Sequence, residues 1–539
     1  MQLFRRGVSL FVRSVRADGW RGLNSFLRRG FQVARRWRLF TAQQRRRERE
    51  DRAYSAWFDA RRPDEAERRR QAETRFSHRV SFLIPTWNTR PEYLRALADS
   101  LLRQTSPCWE ACFYDGASEN AETRRLLAAL PAEDSRFRVR LGEENLRISG
   151  NTNLAAEMAT GDWFALCDHD DLLAEEAVYR VLEAAEAGAD FVYTDEDKVT
   201  ADGTALFEPH FKPDFAPDSL RSGNYICHLM AMRAALYREV GGLRGEYDGS
   251  QDHDLALRAT ERAGKIVHVR QVLYHWRMVE TSFSHTRAEK CVDAAMRAVQ
   301  AQLDRLGEPG RAGMHSLTVR VSYPLPEGAS VHLVVWGEEK PSGRWLRQLM
   351  KKTDLRFDSV AFAGKDDTGL AAAARESGSD YLCFLRAGLL PEEKSWASEL
   401  LRHAARERVA FAGGPVLDQK DCYLNDGEAI GKGGAPVYRY RGELAEGRTW
   451  QLGDKLVQNV TGVPRACAMV SREKWLRLGG GADFLRMGAA AQAAGLRCVM
   501  VPWAAVAGRA FPQPAEHADG EERCWSPLWA EAFGEEAGQ

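Results

Sequence analysis

Three aspartates within four positions, Asp168, Asp170 and Asp171, are the densest chemistry in this chain. Carboxylates so crowded repel one another, so the group either spreads into water or gathers a cation. A hard divalent ion with oxygen ligands, Mg²⁺ or Mn²⁺, keeps open positions for substrate phosphates and suits such a cluster. Asp171 could equally cap the helix expected after it. A second acidic group, Gln251-Asp252-His253-Asp254-Leu255, follows Gly241-Gly242. Asp252 and Asp254 either start a helix over 255–263 or place one carboxylate as a general base. A third segment, Leu273-Tyr274-His275-Trp276-Arg277, offers His275 as a metal ligand or as a core histidine beside Trp276.

These groups need a frame. Residues 80–84 are an apolar run stopped by Pro85, followed by a polar turn at 86–89 and a helical pattern through Tyr93, Leu97, Leu101 and Leu102. Further strands are expected at 111–114, ended by Asp115-Gly116-Ala117-Ser118, around Val139 and Leu141, and at 163–167, ended by the aspartates. A helix is expected at 151–160. Strand, polar turn and helix in alternation predict an α/β fold, a mostly parallel sheet with helices on both faces. Ligands of such sheets sit at the carboxyl ends of the strands, where these turns fall.

With 539 residues the chain is too long for one compact domain. Lysine plus arginine and aspartate plus glutamate both number 76, so net charge points to no partner. The balance conceals a split: residues 1–75 hold twenty-one arginines, no lysine and nine acids, a surplus of twelve positive charges. Phe4, Val8, Phe11, Val12 and Val15 recur there at helical spacing opposite arginines. That pattern suits either a basic helix lying on an anionic membrane surface or one docked on the next domain. No nucleic-acid motif accompanies it. The run 45–70 is mostly charged and reads as an exposed helix or linker. No apolar stretch approaches the roughly 18 residues of a membrane span, and arginines interrupt what would be a signal peptide's apolar core. Ten dispersed cysteines without zinc spacing read as buried thiols of a reducing compartment, so a cytoplasmic location is expected.

The second half repeats the first in faded form. Val331 to Trp336 stands where Val80 to Pro85 stood, and Ser379-Asp380-Tyr381-Leu382-Cys383-Phe384-Leu385 parallels Gly161-Asp162-Trp163-Phe164-Ala165-Leu166-Cys167. Ala468-Met469 and Gly479-Gly480 echo Ala231-Met232 and Gly241-Gly242. Where the first copy has Asp168-His169-Asp170-Asp171, the second has Arg386-Ala387-Gly388: its apolar frame is kept and its acids are gone. The expected organisation is an Arg-rich region at 1–75, an acid-bearing α/β domain at 76–285, a helix (289–306) and Pro/Gly linker at 286–330, a degenerate copy at 331–510 and a tail at 511–539.

The ordered motifs Ile84-Pro85-Thr86-Trp87-Asn88, Asp115 to Ser118, Asn145 to Asn153, Asp168 to Asp171, Gln251 to Leu255 and Tyr274 to Arg277 resemble the family 2 glycosyltransferases over roughly residues 78–285. These are inverting enzymes with the GT-A nucleotide-sugar-binding fold. Tyr193-Thr194-Asp195-Glu196-Asp197-Lys198, His210-Phe211-Lys212-Pro213-Asp214 and Asn224-Tyr225-Ile226-Cys227-His228 look like the branch that builds bacterial surface polysaccharide, notably O-antigen rhamnosyl- or galactosyl-type transferases. The resemblance implies that Pro85, Thr86, Asp115, Arg147, Asn153 and Asp168 bind the nucleotide sugar. It implies Asp168, Asp170 and His275 as the metal side, Asp252 as base, and Asp195, Asp197, Lys198, Lys212, Asn224 and His228 as the acceptor side. It further implies a UDP- or dTDP-linked donor and a lipid-linked or oligosaccharide acceptor. The chain departs from the family in having Gly116 and Gln251 where acids are usual. A non-catalytic nucleotide-sugar or glycan-binding scaffold is the alternative. A nucleotidyltransferase would carry a glycine-rich loop after its first strand, which Pro85-Thr86-Trp87-Asn88 is not.

Overall fold

The computed structural model describes residues 41–279, 288–315, 317–430, 436–438, 441–445 and 455–508. The basic helix expected within residues 1–40 and the tail at 511–539 lie outside them. Residues 41–59 form a helix (α1), followed by α2 (Glu65–Glu73). Next come β1 (Val80–Thr86), α3 (Pro91–Leu102), β2 (Trp109–Asp115), α4 (Ala121–Glu133), β3 (Phe137–Leu141), α5 (Arg147–Met158), β4 (Trp163–Leu166) and β5 (Leu172–Leu173). They are succeeded by α6 (Ala177–Glu186), β6 (Phe191–Val199), β7 (Leu206–His210), α7 (Pro217–Ser222), β8 (Met230–Arg233), α8 (Ala234–Glu239), α9 (Gln251–Arg262), β9 (Ile266–Arg277) and α10 (Ala288–Leu306).

The nine strands form one sheet in the order β3-β2-β1-β4-β8-β6-β9-β5, with β7 beside β6. Six of them (β1, β2, β3, β4, β6 and β9) run the same way, and β8 is reversed between β4 and β6. Alternation decides the layers. Val80, Phe82 and Ile84 of β1 face one core with Ala111 and Phe113, while Leu83 faces another with Cys112 and Tyr114. Helices cover both faces, which is why these strands read as unbroken apolar runs. Pro85 does not stop β1. Leu83 O accepts from Cys167 N and Thr86 O from Gly116 N, so odd residues face β4. The donor that Pro85 lacks would point past the end of β4, where no bond is lost.

The 308–330 linker contains a hairpin, β10 (Arg311–His315) and β11 (Thr318–Ser322). Beyond it run β12 (Val331–Trp336), β13 (Ser359–Ala363), β14 (Tyr381–Arg386), β15 (Leu390–Pro391), β16 (Val409–Gly413) and the short β17 (Val416–Asp418), β18 (Tyr423–Asn425), β19 (Glu428–Ile430) and β20 (Pro436–Tyr438). Then come β21 (Gln458–Val460), β22 (Cys467–Ser471), β23 (Arg497–Met500) and β24 (Val506–Gly508). The larger second sheet has the order β13-β12-β14-β22-β16-β23-β21. Its first six places reproduce β2-β1-β4-β8-β6-β9 in order and direction, with β22 reversed as β8 is.

Charge density suggested an exposed helix over 45–70, and here the structure differs. Tyr54 of α1 is fully buried and, with Trp57 and Phe58, packs on Phe211, Val272 and Leu206. One aromatic stripe outweighs the flanking charges, since each buried aromatic contributes about 1.5–3 kcal/mol. Among the described residues no helix is long and apolar enough to cross a membrane, and the nine cysteines are free thiols.

A buried ion cluster joins the two sheets. Asp218 of α7 accepts from Arg406 (2.5 Å), Arg497 (2.8 Å) and Asn459 (2.8 Å), and Arg221 grips Glu308 with two bonds of 2.7 Å. Burial alone would raise the Asp218 carboxyl, but Arg406, Arg497 and Arg221 outweigh it and hold it well below the usual range. Its stabilisation is therefore complete above the unfolded value of about 3.9 and is lost as pH falls below it. Asp218→Asn removes the carboxylate that Arg497 and Arg406 share, leaving Glu308 at 3.5 Å to face Arg406, and should cost about 3 kcal/mol in denaturant unfolding at pH 7, the deficit narrowing toward pH 3. A loss that does not change with pH would contradict this account.

Candidate active site

The first cleft opens because neighbouring strands end at different heights. β4 leaves the sheet after Leu166, opposite Leu83, whereas β1 and β2 stay paired to Thr86 and Asp115. Asp115 is fully buried. It accepts from Thr86 Oγ1 (3.2 Å), from Ser118 N (3.0 Å) and hydroxyl, and from Arg124 (3.3 Å). Asn88 ties the two strand-end turns together: its N–H donates to Ser118 Oγ (2.7 Å) and its Oδ1 accepts from Glu119 N (2.8 Å).

Gly116 has no room for a side chain, because a Cβ there would sit 2.4 Å from Asn151 Nδ2 and 3.0 Å from Asn145 Oδ1. The two asparagines build the start of α5: Asn145 Oδ1 accepts from Arg147 N (2.8 Å) and Asn151 Nδ2 (3.0 Å). Arg147 is exposed beside this edge, in a left-handed conformation (φ 61°). Asn153, expected beside the donor, is engaged elsewhere. Its Nδ2 donates to Leu243 O (2.8 Å), and its Oδ1 accepts from Leu243 N (3.0 Å) and Tyr237 (2.7 Å). It anchors the Gly241-Gly242 turn to α5.

The aspartates after β4 have separate fates. Asp171 is fully buried and does not cap a helix: it accepts from the Tyr274 hydroxyl (2.6 Å) and Arg277 N (2.7 Å). Burial, then Asp170 and Asp168, push its carboxyl well above the ordinary range. Tyr274 also accepts from Asp168 N (3.1 Å), and Arg277 Nε donates to Asp170 O (2.6 Å). Asp168 and Asp170 keep their carboxylates at the surface of the cleft, with 35% and 26% of the side chain exposed. Asp168 faces His228 Nε2 at 3.4 Å. Burial would raise Asp168, but His228 outweighs it and the net shift is downward. The imidazole, which burial alone would lower, is raised to about 9 by Asp168 and then Asp171 and Asp252, and stacks on Tyr274 at 4.8 Å.

His275 does not join the metal side. Tyr274 and His275 face opposite sides of β9; the first meets the aspartates, so the second meets α1, 5.1 Å from the Phe58 ring. His275 Nδ1 lies 2.6 Å from Asp197 Oδ1, and Tyr54 donates to Asp197 Oδ2 (2.7 Å). Among the described residues no three His, Cys, Asp or Glu side chains are placed to hold a metal. Asp168 and Asp170 fit a cation that takes its remaining ligands from a diphosphate and water, as Mg²⁺ commonly does.

At the start of α9 the structure separates two acids that the sequence left equivalent. Asp254 is fully buried, with Arg258 (2.6 Å) and Arg244 on its oxygens. Burial would raise its carboxyl; the guanidinia hold it low. Asp252 is half-buried and, among the described residues, takes one side-chain bond, from Asn224 Nδ2 (2.8 Å). Both Asp252 and Asp168 act electrostatically on His228 and on Cys227, so the two acids converge on one place.

Of the expected acceptor residues, Asn224 and His228 stand there. The others are committed internally. Asp195 accepts from Lys212 N (2.7 Å) and meets His268 (2.9 Å), and Asp197 holds His275. Buried Lys212 donates to Ile226 O (2.6 Å), His228 O and Glu196 (3.2 Å), and Lys198 pairs with Glu208. β6 is a central strand with neighbours on both sides, so its polar residues are spent on structure. The hydroxyl of Tyr274 and the buried status of Asp171 escaped sequence reasoning; the alternation of β9 beside an acidic turn was the available signal.

Residues 81–240 match the family described as Glycosyl transferase family 2. A curated relative from Sinorhizobium fredii, the uncharacterized protein y4gI, is 30% identical over 74% of this chain and 49% of its own length. The O-antigen biosynthesis protein RfbC of Myxococcus xanthus is 27% identical over 83% of this chain and 38% of its own. The chain thus spans half or less of both relatives. Among solved structures, S. aureus TarS in complex with UDP-GlcNAc is similar at 18% identity and a TM-score of 0.34, over 42% of this chain and 66% of that one.

The two acids of α9 make a paired prediction about stability. Asp254→Asn strands the buried Arg258 and should cost about 3 kcal/mol, whereas Asp252→Asn should stay within about 0.5 kcal/mol of the parent. Denaturant unfolding followed by circular dichroism measures both; equal losses would mean that the two acids do not differ in structural role.

Proposed function

We infer that this chain, a family 2 glycosyltransferase by its domain at residues 81–240, moves a sugar from a nucleoside-diphosphate donor to a hydroxyl of a bacterial surface glycan. The observation that carries this reading is the convergence of Asp252, open and steadied by Asn224, with the acid loop of Asp168 and Asp170 around His228. The name of the RfbC relative supports the glycan as O-antigen-like.

The nucleotide of a UDP- or dTDP-linked donor lies along the strand ends at Pro85, Thr86, Asp115 and Arg147. Of the contacts on Asp115, the 3.3 Å bond from partly exposed Arg124 is the one a base N–H displaces most cheaply. A divalent ion, Mg²⁺ or Mn²⁺, held by Asp168 and Asp170 with the donor's phosphates would neutralise charge on the departing nucleoside diphosphate. His228 stands on the same side, its Nε2 3.4 Å from the Asp168 carboxylate. Asn224 holds one oxygen of Asp252 and leaves the other to take the proton of the acceptor hydroxyl. That hydroxyl attacks C1 from the face opposite the leaving group, so the configuration inverts. A single base suffices; retention, by analogy with glycoside hydrolysis, would want a nucleophile against the anomeric carbon.

The catalytic unit is then 76–285, and the second sheet, with Arg386-Ala387-Gly388 where the first has its acids, transfers nothing itself. The Arg-rich, Phe-bearing sequence of residues 1–40 would bring the enzyme to an anionic cytoplasmic membrane surface, where a lipid-linked acceptor is met.

Asp252→Asn should lower transfer 10²- to 10⁴-fold with donor affinity unchanged in calorimetry. Asp170→Asn, or added chelator, should abolish both transfer and tight donor binding; full turnover in chelator would end the metal-assisted reading. Deletion of residues 1–40 should move the protein from anionic vesicles to the supernatant in flotation assays while transfer to a soluble acceptor persists. Unchanged flotation would refute the membrane contact.

A further inference from the structure

The second sheet has a cleft of its own. A cavity of about 610 Å³ lies at the carboxyl ends of β12 and β14, where the strand order reverses toward β22. Its volume is that of a small-molecule site, and it occupies the place where open α/β sheets bind ligands. Its walls include Trp336, Arg386, Asn425, Glu428, Tyr438 and Arg465. Nothing in the proposed reaction uses them.

The charges differ in kind from those of the first cleft. Arg386, the last residue of β14, stands where the first sheet presents its aspartates, and Arg465 reaches the same spot from the turn before β22. Their guanidinium carbons lie 5.2 Å and 4.4 Å from the centre of one indole, that of Trp336. Two like charges are thus gathered at the head of a partly buried cavity. Burial lowers the pKa of Arg386 from its ordinary value against the opposing pull of Glu338, and Arg465 beside it adds to the lowering; an anion between the two guanidinia would offset that repulsion. Arg465 also pairs with Asp367, and Lys365 with Glu338 at 3.9 Å. Both acids are largely exposed at the mouth, where water screens them. Deeper in, Asn425 Nδ2 donates to Glu428 Oε1 (2.8 Å), and burial pushes the Glu428 carboxyl up to about 7. The interior therefore offers two guanidinia, a carboxyl able to give or take a hydrogen bond, and the buried rings of Trp336 and Tyr438. Guanidinia match oxyanions in two-point geometry, and mixed donors beside aromatic rings match a sugar's hydroxyls and its apolar face.

We propose that this cavity is a second binding site, independent of metal, for an anionic saccharide, whose carboxylate or phosphate sits between Arg386 and Arg465. The word saccharide rests on the glycosyltransferase reading; the anion rests on the arginines alone. Through it the second unit holds a charged sugar while the first cleft performs transfer.

The test is calorimetric titration of the full chain in chelator, which removes metal-dependent diphosphate binding at the first cleft. Glucuronic acid, UDP and inorganic phosphate are the probes, separating an acidic sugar from a nucleotide and from a bare anion. Glucuronic acid or UDP should bind more tightly than phosphate. Arg386→Gln and Arg465→Gln should each weaken that binding at least tenfold, and Asp170→Asn should leave it unchanged. Binding insensitive to both arginine substitutions, no binding of any probe, phosphate as tight as either sugar-bearing anion, or loss in Asp170→Asn would overturn the proposal. Transfer is measured separately with metal restored, so failure of the first cleft and failure of the second give different results.

Discussion

A carboxyl group sealed from water remains in place only if hydrogen bonds replace the lost hydration, and Asp171 imposes that demand at the centre of the first cleft. Both donors come from β9: the hydroxyl of Tyr274 and the N–H of Arg277. β9 is thereby held against the turn that follows β4, with β5 paired alongside it. The Tyr274 hydroxyl also takes the N–H of Asp168, and its ring supports His228. The two acids left at the surface, Asp168 and Asp170, owe their position to the buried third. An acidic turn that could have splayed into water is instead a fixed edge.

The same logic sorts the other acids. Asp254 is surrounded by guanidinia and belongs to the scaffold, while Asp252, two residues earlier on α9, takes the Asn224 amide on one oxygen and stays half-exposed. On β6, Asp195 and Asp197 lie on a strand with partners on both sides and are consumed by His268 and His275. In each pair the residue type is constant and the surroundings decide the role: buried acids are matched with donors or cations, and the half-exposed ones are available.

Two sheets of one strand order meet across α7, the β10–β11 hairpin and the Asp218 cluster. Separating that cluster would leave charge buried without a partner, so arrangements of the two units that pull it apart are disfavoured. Their clefts carry opposite chemistry on a common frame, acids after β4 and an arginine at the end of β14. The helix α1 adds an aromatic clamp over the back of the first sheet, and Tyr54 completes the Asp197–His275 pair from there.

Much of this was legible in one dimension. Strands buried on both faces announce themselves as apolar runs, so β1, β2 and β4, and β12 and β14 of the faded copy, could be read directly. The acidic turns could be placed at strand ends because α/β alternation leaves turns nowhere else to go. Local order thus determined the fold class, the repeat and the neighbourhood of Asp168, Asp170 and Asp252. Which acids stay open, that His228 rather than His275 faces Asp168, and that α1 is docked were decided by tertiary structure. The reason is physical: a side chain's protonation and availability depend on donors and charges brought from distant segments, as Tyr274 is brought to Asp171 across about a hundred residues, and no local pattern records which partner will arrive.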